Sequence, residues 1–173
     1  MIEFLKEISE DKRLNFDGLI QLIESEKIPM TFHVFPDPYT RALGATSDDG
    51  VLLNYRAKYL PKTDLYHLIL HEIGHYLRVR KKGGEAVNIE VTNLKSAEEL
   101  RDHLLYEERF AEKYATLTFH KLNRVRDNAS IKLDFNDINF FNGSMGYAKF
   151  LFNELQTTGL SFFDYTRKAL NII

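Results

Sequence analysis

Apolar residues recur at helical spacing along most of this chain. Leu65, Leu68, Ile69, Ile73, Tyr76 and Leu77 form one stripe, which predicts a partly buried helix over 64–78 with Pro61 and Thr63 as initiating residues. A second stripe, Leu100, Leu104, Ala111, Ala115, Thr118 or Phe119, and Leu122, predicts a longer helix over 97–122. Ser96 caps it, and Glu99 completes a capping box. Shorter patterns predict helices over 2–10, through Ile2, Leu5 and Ile8, and over 16–26, through Leu19, Ile20 and Ile23 with Asn15 or Asp17 as cap. Near the C-terminal end, Ser144 opens a helix to about residue 156 with Tyr147, Phe150, Leu151 and Leu155 on its buried side, closed at Gly159. Ser161 and Asp164 start a last helix ending near 172, with an apolar face of Phe162, Tyr165, Ala169 and Ile173.

Between the second and third helical patterns the period changes. Residues 30–35 alternate and are rich in strand formers, Pro36-Asp37-Pro38 marks a turn, and 41–46 and 51–55 read as two strands around Ser47-Asp48-Asp49-Gly50. Val87, Ile89 and Val91 also alternate, so 86–91 reads as a further strand or structured loop. The predicted fold is α+β, a small three- or four-stranded sheet packed on a helical core. It forms a single domain over 1–173, with 131–173 as a C-terminal helical extension of the same core. In the irregular stretch 131–143 the aromatics are expected to pack across the core or line a cleft. Its run Asp134-Phe135-Asn136-Asp137 lacks the central Gly and terminal Glu of a calcium loop.

The composition narrows the chemistry. A chain of 173 residues with 44% hydrophobic content can bury one core, and a formal net charge of -2 implies neither nucleic acid nor an anionic membrane as a bulk partner. The C-terminal helix pair carries only Lys149, Arg167 and Lys168, too little positive charge for a helix-turn-helix DNA reader, so a packing or dimerisation role is expected. No cysteine is present, which leaves His and carboxylate as the strong metal ligands and fits a cytoplasmic protein. The first ten residues include Glu3 and Glu7 and no continuous apolar run, so they do not read as a signal peptide, and no stretch is apolar enough to span a bilayer.

Within the first stripe stands His71-Glu72-Ile73-Gly74-His75. Residues four apart share a helix face, so both imidazoles can reach one metal ion while Glu72, beside them, can deprotonate a metal-bound water. Gly74 costs about 1 kcal/mol in a helix interior and is explained if another segment crosses closely there. A third protein ligand is needed, and Glu108 occupies the one gap in the second apolar stripe, where a carboxylate is rare unless a cation answers it. The alternative is pairing of Glu108 with Arg101, Arg109 or Lys113 on a solvated face. Glu112, one turn on, is placed to accept from the outer nitrogen of a ligating histidine. Tyr106, Tyr114, His67 and His103 are open candidates for stabilising an oxyanion. Arg78, Arg80, Lys81 and Lys82 read as a solvated helix end favourable to the helix dipole.

The two segments His71-Glu72-Ile73-Gly74-His75-Tyr76-Leu77 and Glu108-Arg109-Phe110-Ala111-Glu112-Lys113-Tyr114-Ala115 together resemble the ImmA/IrrE family of zinc-dependent metallopeptidases, within the gluzincin-like proteases. Leu43-Gly44 and Gly50-Val51-Leu52-Leu53-Asn54 resemble that family's strand pair, and the likeness covers about residues 15–122. The resemblance implies zinc held by His71, His75 and Glu108, with Glu72 as general base. Glu112 stands where the family usually has Asn or Asp. It further implies an extended substrate held along a sheet edge and a protein substrate such as a DNA-binding transcriptional repressor. Direct nucleic-acid or membrane binding is not implied.

The expected activity is thus zinc-dependent endopeptidase cleavage of a specific intracellular protein. Two rival readings are a metal-stabilised interaction protein that binds a regulatory partner without cutting it, and a metal-independent helical adaptor built on the aromatic C-terminal third.

Overall fold

The computed structural model describes residues 1–10, 13–37, 39–123 and 144–172. Helices α1 (Ile2–Ile8) and α2 (Phe16–Ser25) come first, then strands β1 (Met30–His33), β2 (Gly44–Thr46) and β3 (Val51–Asn54), with a 3-10 turn over Tyr39–Arg41 before β2 and another over Tyr55–Tyr59 after β3. Helices α3 (Lys62–Lys82), α4 (Gly84–Thr92) and α5 (Ala97–Asn123) follow, and α6 (Met145–Thr158) and α7 (Phe162–Ala169) form the C-terminal pair. The fold is α+β as predicted, with the His71 helix and the Glu108 helix packed together beneath a small mixed sheet.

The sheet order is β1-β3-β2, with β1 parallel and β2 antiparallel to β3. β2 is therefore an edge strand. Ser47 N–H donates to Gly50 O at 2.9 Å, and Asn54 N–H donates to Leu43 O at 2.8 Å. Because bonded pairs alternate in an antiparallel ladder, the backbone groups of Gly44 and Thr46 turn to the outer edge. Buried Asn54 holds the approach to β2, its amide donating to the carbonyls of Thr40 and Ala42 while its oxygen accepts from Arg56 N–H.

Helix α3 is buried without interruption from Leu65 to Gly74, more than two full turns, so every side of it is covered. The sheet, α2 and the far end of α5 cover it within one apolar cluster that includes Leu19, Leu53, Leu68, Ile69, Ala115 and Phe119. Tyr66 sits edge-on between Phe16 and Phe119, and its hydroxyl donates to Asn15 O at 2.9 Å. Asn15 caps α2 by accepting from Gly18 N–H and also ties to the end of α5 through Leu122 O and the Asn123 side chain. Asn15, rather than Asp17, is the cap. A separate cluster of Val91, Leu100, Leu151 and Tyr165 joins α4, α5, α6 and α7.

Three expectations change. Residues 86–91 belong to helix α4, not a fourth strand: Val87 and Val91, one turn apart, are buried, and Ile89 is 54% exposed. Phe150 lies on the outside of α6 at 41% exposure, where Ala148 joins Leu151 as the buried positions. Helix α3 outruns its apolar stripe to Lys82, because its basic end is paired within the chain: Arg78 with Glu107, Arg80 with Glu26, and Lys82 with Glu90. The irregular stretch 131–143, Asp134 to Asp137 included, and Ile173 lie outside the described residues.

Gly74 is where α3 meets α5. A Cβ there would lie 3.1 Å from the Ala111 Cα and 3.2 Å from the Tyr114 side chain. The predicted crossing segment is therefore α5. Gly74→Leu is expected to force the two helices apart and lower the unfolding free energy by about 1–3 kcal/mol, read from urea denaturation of the metal-free chain. Wild-type stability in that variant would refute the close contact.

Candidate metal centre

The α3–α5 contact brings side chains from both helices into one buried cluster. His71 Nε2 lies 3.0 Å from Glu108 Oε2, His75 Nε2 lies 3.1 Å from His71 Nε2, and His75 Nε2 lies 3.5 Å from Glu108 Oε1. A tetrahedral ion with ligands about 2.0–2.2 Å away separates any two of them by about 3.3–3.6 Å. The observed triangle matches those edges to within a few tenths of an ångström. His71, His75 and Glu108 thus form a donor set capable of holding a metal ion, and the geometry is consistent with an HExxH zincin active site in general.

Glu108 is buried in the gap of the α5 stripe, and the solvated alternative does not hold: Arg101 pairs instead with Asp102. Burial opposes ionisation of Glu108, but His75 and His71 outweigh it and hold the carboxyl well below the usual range. The converse appears at His71. Burial disfavours its charged form, yet Glu108 and Glu112 prevail and raise its pKa to about 10.

Glu112 lies behind this triangle. Its Oε2 is 3.4 Å from His71 Nδ1, and both its oxygens are 3.1 Å from Nε2 of His67. A proton on His71 Nδ1, facing that carboxylate, leaves the Nε2 lone pair for the centre. Burial works against the charge on Glu112, but His67 and His71 lower its pKa to about 2.

Glu72 occupies a different environment. The Thr46 hydroxyl donates to its Oε2 at 2.9 Å, and a Cβ at Gly44 would collide with its Oε1, so β2 lies directly against this carboxylate. Its pKa is raised, chiefly by burial, with only partial relief from His75 and His71.

His71, Glu72, His75 and Glu108 open on a cleft of about 640 Å³. The β2 edge forms one wall, and the opposite wall comes from Val87, Leu104, Leu151, Phe163 and Ala169 of α4 to α7. The C-terminal pair thus stands beside the centre.

The four oxyanion candidates separate. His103 lines the cleft. Tyr106 is exposed beneath the Arg78 guanidinium, Tyr114 packs on Gly74, and His67 is buried behind the metal face. Sequence reasoning missed Tyr39, Tyr147 and Tyr165, which also line the cleft. The Tyr39 and Tyr165 hydroxyls bond each other at 2.9 Å. Tyr147 is placed so that its phenol is pushed up, first by burial and then by Tyr165 and Glu108. Gly44 and Thr46 carried a weak signal, two alternate positions in a strand next to the HExxH helix. Tyr147 carried none, since its approach depends on how α6 folds back.

Metal binding must expel the proton that Glu108 and Glu112 hold on His71. Affinity is therefore expected to rise with pH up to about 10, with about one proton released per ion near neutrality. Calorimetric zinc titrations in buffers of differing ionisation enthalpy measure this, and pH-independent affinity would contradict it.

Among the described residues, no helix is long and apolar enough to cross a membrane. Comparison with protein-family models, curated proteins and solved structures finds no match to this chain.

Proposed function

We propose that this protein is a zinc-dependent endopeptidase of the ImmA/IrrE type, cleaving a specific intracellular protein such as a DNA-binding repressor. The observation that carries the activity is the spacing of the His71, His75 and Glu108 donor atoms, which matches edges of a tetrahedron, on a cleft where a buried carboxylate meets β2, the outer strand of the sheet among the described residues. The repressor as substrate rests on the resemblance of the two signature segments. A single domain over 1–173 is part of the same proposal.

Zinc held there supplies a water of lowered pKa and a Lewis acid for the scissile carbonyl. Glu72 is the base in this scheme. Burial raises its proton affinity, so it takes a proton more readily than an ordinary carboxylate and passes it to the leaving amine. The Thr46 hydroxyl fixes Oε2, and the absence of a side chain at Gly44 gives the carboxylate room to stand against β2. An extended peptide added to the β2 edge would pair with the outward backbone groups of Gly44 and Thr46, placing its chain alongside Glu72. Tyr147 is the proposed donor to the oxyanion: its phenol lines the cleft beside the metal-ligand set, near enough to Glu108 to feel that charge.

Glu72→Gln is expected to retain stoichiometric zinc and lose about 10²–10⁴-fold in turnover, measured as loss of a tagged candidate repressor with metal content determined in parallel. Full biological effect from that variant would replace hydrolysis with binding, the interaction-protein reading. Tyr147→Phe is expected to lower kcat by about 10²–10³-fold with KM and zinc content little changed. Unaltered kcat would remove Tyr147 from the mechanism.

A further inference from the structure

We infer that His67 is a positioning residue of the metal centre, holding Glu112 in the one orientation that fixes the tautomer and aim of His71. This rests on the reading of His71, His75 and Glu108 as metal ligands.

His67 sits one turn before His71 on α3, so the two rings share a helix face. It is buried, does not line the cleft, and places Nε2 at 3.1 Å from both oxygens of Glu112. An ionised carboxylate only accepts, so His67 Nε2 carries a proton and donates it to the pair of oxygens.

Distances decide which contact holds Glu112. The approach to His71 Nδ1 is 3.4 Å, at the long limit for a hydrogen bond, and the Thr116 hydroxyl stands at 3.5 Å from Oε1. Neither contact is short enough to anchor a glutamate whose side chain is 34% exposed and has three rotatable bonds with which to swing into solvent. The two 3.1 Å contacts from a ring locked in the core of α3 supply the anchor. Orientation therefore passes from the packed His67 ring to the Glu112 carboxylate, and from there to His71 Nδ1–H, leaving the Nε2 lone pair of His71 aimed at the point it shares with Glu108 and His75.

A double-mutant cycle on metal affinity tests this, with zinc binding measured by competition against a chromophoric chelator. His67→Phe, which fills the site and removes the donor, is expected to weaken zinc about 10–100-fold, and Glu112→Ala by a similar factor. The double variant is expected to lose no more than either single one, since both break the same link. His67→Gln, which can present an amide N–H where Nε2 stood, is expected to restore most of the affinity.

Wild-type affinity in a folded His67→Phe protein, or losses that multiply in the double variant, would overturn the inference. Absence of zinc binding by the wild-type chain would instead overturn the metal-centre reading beneath it. Where the phenyl ring prevents folding, nitrogen-15 NMR of the wild-type rings decides: protonated Nε2 on His67 supports the assignment, and bare Nε2 refutes it.

Discussion

Everything at this centre depends on how closely two helices can approach. A carboxylate buried between imidazoles is tolerable only when its charge is answered within hydrogen-bonding distance, because an unpaired buried charge costs several kcal/mol. Glu108 comes from α5, and the rings that answer it come from α3. Gly74 and Ala111 set the separation, and each lies three residues beyond a member of the site, Gly74 beyond His71 and Ala111 beyond Glu108. Bulk at position 74 would therefore act within one turn of the donor atoms. The glycine that weakens α3 as an isolated helix is what allows the interhelical charges to meet.

Two large bodies of apolar packing flank the cleft, and a smaller cluster of Phe35, Tyr39 and Leu170 joins the sheet side to the C-terminal helices. One cluster fastens α3 to the sheet, α2 and the far end of α5, and the other fastens α4, α6 and α7 to the near end of α5. Polar links cross between the two sides. Arg167 on α7 pairs with Asp48 and Asp49 of the β2–β3 turn, His33 Nε2 lies 2.7 Å from Leu170 O, and the Tyr39 and Tyr165 hydroxyls meet. The Phe163 N–H donates to the Asn88 side chain, docking α7 on α4. The β2 edge thus faces a wall that is tied to it at several points. The space between them is bounded by outward backbone groups of β2 and by aliphatic and aromatic side chains of the helices.

The sequence carried the elements with a long, single-period pattern. Stripes on α3 and α5 run for several turns, and the break at Glu108 is visible because the stripe positions to either side of it, Leu104 and Ala111, are apolar. Short segments were less legible. Val87, Ile89 and Val91 satisfy a strand's alternation and a helix's one-turn spacing equally well, and only contact with α5 and α7 selects the helix, leaving Ile89 outside. Phe150 shares the helical spacing of Tyr147, Leu151 and Leu155 and so reads as inward, yet the small Ala148 faces the core, where helices pack closely. Local pattern shows which side chains share a face but not what they meet. The partners of Glu72 illustrate this, since Thr46 and Gly44 reach it across a strand-to-helix contact that no spacing rule specifies.

The three carboxylates of the centre show why those long-range partners matter chemically. Glu108 and Glu112 each face ring nitrogens and are held ionised, Glu112 down to about 2. Glu72 is buried like Glu108, but its direct partner is the neutral Thr46 hydroxyl, and it also feels the negative charge of Glu108. Its proton affinity rises where that of the other two falls. Groups of the same type pushed in opposite directions divide the labour of a site: those that stay charged suit ligation and orientation, and the one that resists charge suits proton transfer. Glu72 and His71 are adjacent in sequence, so this division does not come from position along α3. It comes from what β2 and α5 place against neighbouring residues of a single helix.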